Sequence, residues 1–520
     1  MTAETLQRNL SDRNWRLDNL YTIQDKDGRT IPFKMNAAQR RLLDGLHPLS
    51  CILKARQLGF STFIAIFTLD ALLFNAGKSA GMVDRTLEDA KAKLQKMKFA
   101  YENMPKPLRD VIKPGETWTT QKLTWDNGSS AVADVSLRGG TYQFLHVSEY
   151  GKIAFKDPAR AEEIATGAFN TVSPGNHIFV ESTHEGGKGG RFYELCKTSM
   201  EAQGQELTNM DFKFVFEPWF ADPAYSINPD GVHIPPALLG YFDELELKTG
   251  VVLTPGQRAW YAKKKAQLGH AMLQEFPSTP EEAFEVIVEG AIYGTEISEQ
   301  RAKGWITNFE LDATLPVFTF WDIGFSDTTA IWAVQLVGRE IHLVDHYENN
   351  GEPCAHYARV IQRWIDSNGY HIQGNFLPHD AGNTEKGSGK SYEAQLIEAG
   401  IRNTHIVPRT PDRWIGINHL RGLFNRVWIR RDPCQRGVEC LEAYRTNYNE
   451  RLGKFADEPL HDWASNSADA LRTFSEAHMR GMLKDNSPVG KESRRGASRV
   501  PRAVTGVGNT KKRRRVGVIR

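Results

Sequence analysis

Residues 51–62 read CILKARQLGFST. The stretch has the outline of a phosphate-binding loop: an apolar strand, a turn at Gly59, then a helix opening on Ser61 and Thr62. Backbone N–H groups at such a helix start favour phosphate. The usual pattern is GxxxxGK[ST]. Here the lysine after the glycine is absent and Phe60 stands in its place. Two cations lie earlier, Lys54 and Arg56. A loop that curls round a phosphate brings in side chains from its start, so either cation can replace the missing one. An ordinary glycine turn in a parallel sheet gives the same outline, and this stretch alone does not separate the two.

Outward from the loop, residues 50–185 alternate apolar strands with helical stretches: SCILKA, SAGMVD, YQFLHVSE and GNHIFVEST. That rhythm predicts an α/β fold with a largely parallel sheet and helices on both faces. The third run ends in Ser148 and Glu149. An acid at a strand end beside a phosphate loop orients the attacking water, and Glu149 fits that role. The metal-holding aspartate usual before it is replaced by Ser148. The fourth run ends in Ser182 and Thr183. Polar groups at successive strand ends fit the rule that ligands bind at the carboxyl ends of parallel strands.

Residues 205–300 are irregular and rich in Pro and aromatics, and read as a lid or linker. The pattern then changes. LPVFTFWDIG, TAIWAVQLVG and EIHLVDHYEN are strand-like runs joined by short turns, as in an antiparallel meander. A domain boundary is expected between Ala302 and Leu315. Asp322 interrupts the first of these strands, and a buried acid is unfavourable unless paired or bound to metal. Asp327, in the following turn, reads as exposed. NFLPHDAG repeats the device with Asp380. A helical reading of HDWASNSADALRT puts Asp462 and Asp469 on one face. Three carboxylates from two strands and one helix can hold two divalent ions about 4 Å apart, which activate water and stabilise a phosphodiester's leaving oxygen. Taken singly, each aspartate also reads as a turn or cap residue.

Composition bounds the rest. At 520 residues, 40% hydrophobic and 25% charged, the chain has room for two to four soluble domains. Its longest apolar run, FIAIFTLDALLFNAG, is too short to span a bilayer and carries Asp70. The polar N-terminus does not read as a secretory signal. Five cysteines without a CxxC pair predict reduced thiols and a cytoplasmic setting. Residues 480–520 hold 13 Lys/Arg and two acids, a net +11, which leaves −9 on the rest of a chain whose total is +2. This stretch reads as a disordered basic tail for nucleic acid or an acidic protein surface, or as a solubilising tail.

In this order the motifs resemble those of large terminase subunits of tailed bacteriophages, motors that pack DNA into viral capsids. KARQLGFS resembles the family's deviant phosphate loop, with the basic residue displaced to its start. HVSE resembles its acid-bearing strand end, and ESTHEGG its coupling motif. FKMNAAQRRLL resembles the adenine-reading segment, with Gln39 as the contact. SLRGG places Arg138 where family members carry an arginine linked to the nucleotide, sometimes in trans. The strand acids and the DALR helix resemble the RNase H-like nuclease that ends the same proteins. There the metal acids fall on Asp322, Asp380 and Asp469, with Asp462 in reserve. Asn466 departs from the family's usual His.

The resemblance implies a P-loop ATPase with a parallel sheet, followed by an RNase H-like nuclease with a mixed sheet. The expected divisions are an N-terminal segment 1–30, ATPase core 31–205, lid or linker 206–305, nuclease 311–480 and basic tail 481–520. It implies ATP bound by Gln39, Lys54, Arg56, Gly59, Ser61 and Thr62, with Mg2+ on Ser61. Glu149 is the catalytic acid, and Arg138, Ser182 and Thr183 couple or sense. It implies two Mg2+ or Mn2+ in the nuclease. Its partners are double-stranded DNA, the procapsid's portal protein, a small terminase subunit and copies of itself in a pentameric ring, with no membrane. The setting is the host cytoplasm and, transiently, the portal vertex. Two alternatives stay open: a helicase-like or repair ATPase-nuclease acting on free DNA, and a non-enzymatic assembly protein that has lost its sites.

Overall fold

The computed structural model describes residues 3–269, 271–285, 288, 290–324, 328–384, 389–449 and 454–483. Asp327 and the basic tail from residue 484 onward lie outside them. The chain forms two compact units, Met1–Glu289 and Gly290–Arg520.

The first unit opens with a helical segment and a short hairpin, β1 (Thr22–Gln24) and β2 (Thr30–Pro32). Its sheet is built from β3 (Leu49–Lys54), β4 (Ser79–Val83), β5 (Pro114–Trp118), β6 (Lys122–Trp125), β7 (Ser130–Asp134), β8 (Tyr142–Ser148), β9 (Val172–Ser182) and β10 (Phe212–Glu217). The order across it is β10-β3-β9-β8-β4-β7-β6-β5. From β10 to β7 every pairing is parallel, and β6 and β5 close the far edge antiparallel. β3 is buried from Ser50 to Lys54. A strand covered on both faces reads as a continuous apolar run rather than an alternation, which is why SCILKA is recognisable.

The helix Phe60–Phe74 follows Gly59 and is apolar almost all round, as a core helix must be. Its one acid, Asp70, is 1% exposed. Arg16 reaches it through Nε at 2.9 Å and Nη2 at 2.8 Å, and Tyr21 donates its hydroxyl at 2.7 Å. The N-terminal segment is therefore part of the first core, with Leu17, Leu20 and Tyr21 buried in it.

The sheet does not end at residue 205. FKFVFE forms β10, parallel to β3 with Phe214 opposite Cys51, inside the stretch expected to be lid or linker. The five cysteines are all free thiols. Among the described residues no helix is long and apolar enough to cross a membrane.

The second unit carries β11 (Ile306–Thr307), β12 (Val317–Asp322), β13 (Thr328–Val337), β14 (Glu340–Asn350), β15 (Ile372–Leu377), β16 (Thr404–Ile406) and β17 (Val427–Arg430). Their order is β11-β17-β14-β13-β12-β15-β16. β12, β13 and β14 form the expected antiparallel meander. β15 then returns parallel to β12, and β17 parallel to β14. The result is a mixed sheet of seven strands, as expected for this part of the chain. The helix Ser465–Met479 packs on the meander: Trp332 Nε1 donates to the Ser467 carbonyl at 2.8 Å, and the Phe474 and Phe320 rings meet edge to face at 5.1 Å.

This unit begins at Gly290, upstream of the boundary expected at 302–315. The helix Gly294–Ala302 belongs to it because Gln300 Nε2 donates to the Phe424 carbonyl at 2.6 Å and Arg421 Nε pairs with Glu296 at 2.6 Å.

Candidate functional site

The loop between β3 and the helix Phe60–Phe74 is held from several sides. The Ala55 amide donates to the Glu217 carbonyl at 2.9 Å, and the Arg56 amide to the Glu275 carbonyl at 2.8 Å. Asn36 Nδ2 donates to the Leu58 carbonyl at 3.1 Å and Gln39 Nε2 to the Gly59 carbonyl at 2.9 Å. Tyr225 donates its hydroxyl to the Arg56 carbonyl. Gly59 takes φ +79°, and a Cβ there would lie 2.6 Å from Gln39 Nε2. The dihedral thus favours glycine, and any side chain there would also push aside the Gln39 amide that braces the loop. Phe60 is in the core at 1% exposure.

Two expected ATP contacts acquire different surroundings. Gln39 forms a capping box with Asn36, accepting from the Asn36 amide at 3.0 Å while it braces Gly59. Its amide is engaged at both ends by the protein, which makes it a brace for the loop. Arg56 is half exposed and pairs with Glu275 at 2.7 Å.

Lys54 is the cation at the centre. Its Nζ lies 3.0 Å from Glu181 Oε2 and 4.0 Å from Glu149 Oε1, and it is 5% exposed. Glu181 is fully buried and was not among the expected site residues. Its Oε1 accepts from Ser61 Oγ at 2.5 Å and Ser148 Oγ at 2.8 Å, with His146 Nε2 at 3.3 Å. Burial opposes its charge, but Lys54, with His146 and Ser61 donating, holds the carboxyl well below the usual carboxylate range. Burial likewise works against the Lys54 ammonium, and Glu181 and Glu149 outweigh it and raise its pKa.

Glu149 directly follows β8, with φ +55°. Non-glycine residues at positive φ are strained and gather at functional sites. Among the described residues three have it, and two of them, Gln57 and Glu149, belong to the loop and its neighbouring strand end. Lys152 lies 3.1 Å from Glu149 Oε2. Thr62 Oγ1 accepts from Lys96 Nζ at 2.9 Å, and Lys93 pairs with Asp84 at 2.9 Å. These lysines escaped the sequence reading because helix lysines usually mark a solvated face. Ser182 and Thr183 are buried at 0% and 1% exposure, and neither hydroxyl has a hydrogen-bond partner. Buried polar groups are normally paired. Unmatched hydroxyls beside Glu181, a lysine, and the Ser61 and Thr62 hydroxyls at a helix start suit a nucleotide's phosphates with Mg2+.

Arg138 follows β7, is exposed, and pairs with Glu163 at 3.0 Å. β7 is four strands from β3, about 19 Å at the usual strand spacing. Arg138 itself lies on the crossover from β7 to β8, where the preceding Leu137 packs over Gly81 of β4.

In the second unit, Asp322 ends β12. Asp380 lies in the turn His379–Gly382 just after β15. β12 and β15 are parallel neighbours, with Phe320 opposite Phe376, so both acids leave the same end of adjacent strands. Asp380 Oδ1 is buried without a hydrogen-bond partner. Asp469 is on the helix Ser465–Met479, and its Oδ1 accepts from Arg472 Nε at 3.0 Å and the Tyr444 hydroxyl at 3.4 Å. Asp462 does not share that helix. It precedes it, accepting from the Ala464 amide at 3.0 Å and pairing with Arg445 at 2.7 Å, both side chains within 3% exposure. Burial raises the Asp462 carboxyl despite the pull of Arg445. The expected common face of Asp462 and Asp469 is thus corrected, because the helix starts after Asp462. Among the described residues no three His, Cys, Asp or Glu side chains gather to hold a metal. Asp322 and Asp380 come to neighbouring strand ends, while Asp469 is held by Arg472.

The chain is similar to large terminases of bacteriophages. The HK97 large terminase aligns over 92% of this chain and 100% of its own, at 11% identity and a TM-score of 0.44. The ATPase domain of the Thermus phage P74-26 large terminase aligns over 47% of this chain and 94% of its own, at 13% identity and a TM-score of 0.32. The nuclease domain of the SPP1 large terminase, with bound Mn, aligns over 34% of this chain and 94% of its own, at 17% identity and a TM-score of 0.27. No family model and no curated protein matches.

Proposed function

We propose that this chain is the motor and nuclease subunit of a viral DNA-packaging machine. The observation that carries the reading is the convergence of Lys54, Ser61 and Glu149 at the carboxyl ends of parallel strands. In the proposed ATPase, Lys54 neutralises phosphate charge with the loop's N–H groups, and the Gly59 turn lets the backbone approach. Mg2+ held at Ser61 would offset charge on the terminal phosphates. Glu149 orients the attacking water, its side chain placed by Lys152 and a strained backbone. The unmatched Ser182 and Thr183 hydroxyls sense the γ-phosphate. Arg138, exposed on the crossover after β7, serves a neighbouring subunit's site in a pentameric ring.

In the proposed nuclease, Asp322 and Asp380 would hold Mg2+ or Mn2+, which supplies an activated water for cutting a phosphodiester. The buried, unmatched Asp380 Oδ1 supports that fit. Asp469 joins them if it exchanges Arg472 for the metal. Double-stranded DNA, the portal and a small terminase subunit are the proposed partners, met in the host cytoplasm and at the portal vertex. The deciding experiment is ATP turnover of the purified chain with and without procapsids that carry a portal. Stimulation by portal and DNA together is expected. Turnover that responds to free DNA but ignores the portal would replace this reading with a helicase-like or repair enzyme, and no turnover under any condition would leave an assembly protein.

A further inference from the structure

A phosphate-loop enzyme needs a carboxylate beside the magnesium-binding hydroxyl, and the position usual for it holds Ser148. The structure brings a carboxylate to that spot from another strand. β9 lies between β3 and β8, with Glu181 opposite Ile52 on one side and Ser148 on the other. Its Oε1 meets both the Ser61 and the Ser148 hydroxyls, at 2.5 and 2.8 Å, while Oε2 faces Lys54 at 3.0 Å. We infer that Glu181 is the carboxylate of the nucleotide's magnesium site, supplied from β9 in place of an aspartate at position 148.

Three observations carry this. Glu181 meets the hydroxyl that would bind the metal as well as the phosphate-neutralising cation, whereas a carboxylate serving only to pair Lys54 has no need of Ser61. Ser148 donates to Glu181, so the residue in the aspartate's position orients its replacement. The next two side chains along the chain, Ser182 and Thr183, are buried with unmatched hydroxyls, so the end of this strand holds polar groups that the protein itself does not satisfy. The inference rests on the reading of the first unit as a nucleotide site.

The test uses the full chain and a fluorescent N-methylanthraniloyl ADP, titrated in EDTA and in Mg2+. The spectrum of Mn2+ with ADP is followed in parallel by electron paramagnetic resonance. The variants are Glu181→Gln, Ser148→Asp/Glu181→Gln and wild type, each with a melting curve. Wild type should bind more tightly with Mg2+ than in EDTA. In Glu181→Gln the gain in ADP affinity from EDTA to Mg2+ should shrink, with Mn2+ affinity falling about tenfold to hundredfold, the usual range for a lost metal-site partner. The double variant restores an acid to the pocket and should recover most of the metal effect. That recovery also tests the inference if Glu181→Gln alone does not fold. A folded Glu181→Gln with an unchanged Mg2+ effect would overturn the inference, as would a folded double variant with no recovery. Wild type that binds ADP in neither condition would remove the nucleotide site itself, and the inference with it.

Discussion

Replacing Lys54 with Met should damage stability as well as turnover, and the two losses can be separated. Lys54 and Glu181 are both buried and 3.0 Å apart. At an effective dielectric of about 20, such a pair attracts by roughly 5 kcal/mol. Removing one partner strands the other charge, at about 3–5 kcal/mol. That is a large share of the 5–15 kcal/mol typical of a folded domain. Lys54→Met/Glu181→Gln strands no charge and should lose less than Lys54→Met alone. The double-mutant cycle should therefore report a coupling of about 2–3 kcal/mol.

The pH response gives an independent sign. In wild type the Glu181 carboxyl is depressed, so its contribution is present above the unfolded carboxylate's pKa and is lost as pH falls through the folded one. In Lys54→Met burial acts without its main opponent and raises the carboxyl. That variant should then gain stability, relative to wild type, as pH drops from 8 toward 6. Urea unfolding of the full chain, followed by fluorescence, measures both effects. ATP turnover should fall by roughly a hundredfold or more in single and double variants alike, since the electrostatic work at the phosphates is gone. Arg56→Ala, which breaks a half-exposed pair, should change stability by no more than about 1 kcal/mol. If Lys54→Met unfolds within 1 kcal/mol of wild type, or the losses simply add, the buried-pair reasoning is wrong.

Asp322→Asn and Asp380→Asn should each abolish metal-dependent DNA cutting, leave ATP turnover intact, and erase the thermal stabilisation by Mn2+ expected of wild type, worth about 2.7 kcal/mol at a hundred times Kd; retained stabilisation counts against them as ligands. Arg445→Met, which leaves Asp462 buried and unpaired, should destabilise by about 3–5 kcal/mol, and Asp462→Asn should lose cutting only as far as it unfolds, which activity at a lower temperature will reveal. Arg138→Ala should bind nucleotide normally and lose turnover only in the assembled ring, with activity falling steeply as variant is mixed into wild type. Burial holds His184 and His346 neutral, with pKa lowered to about 4. Stability is therefore whole above the unfolded histidine's pKa and falls by up to about 3 kcal/mol per ring as pH drops from 6.5 to 4, a slope that His346→Gln should reduce in urea titrations.

The strands were legible where burial was complete. SCILKA and TAIWAVQLVG are covered on both faces, so they read as mainly apolar runs rather than alternations. β10 was hidden because its alternating phenylalanines sit in a stretch dominated by Pro and aromatics. Asp322 and Asp380 were visible as charges against apolar strands. Glu181 bears the same mark in IFVEST, but the Ser-Thr pair beside it carries the more specific motif. Asn36 and Gln39 spell a capping box, a local signal that competes with the adenine reading of the same glutamine. The lysines of the helix Leu87–Glu102 could not be picked out, because only the folded helix decides which of them turn toward the loop. Asp462 was misplaced because periodicity extends naturally through a residue that, in the structure, precedes the helix.

The burial of Phe60 has a consequence for how this loop can change. A lysine at that position would have to leave solvent for an apolar core, where an unpaired ammonium is strongly disfavoured. Lys54 cannot be released first, since Glu181 would then be stranded. Each residue of the departure thus removes the selective path back through the other. Substitution at position 54 alone leaves the buried Glu181 without its cation, so residues 54 and 181 change most easily together.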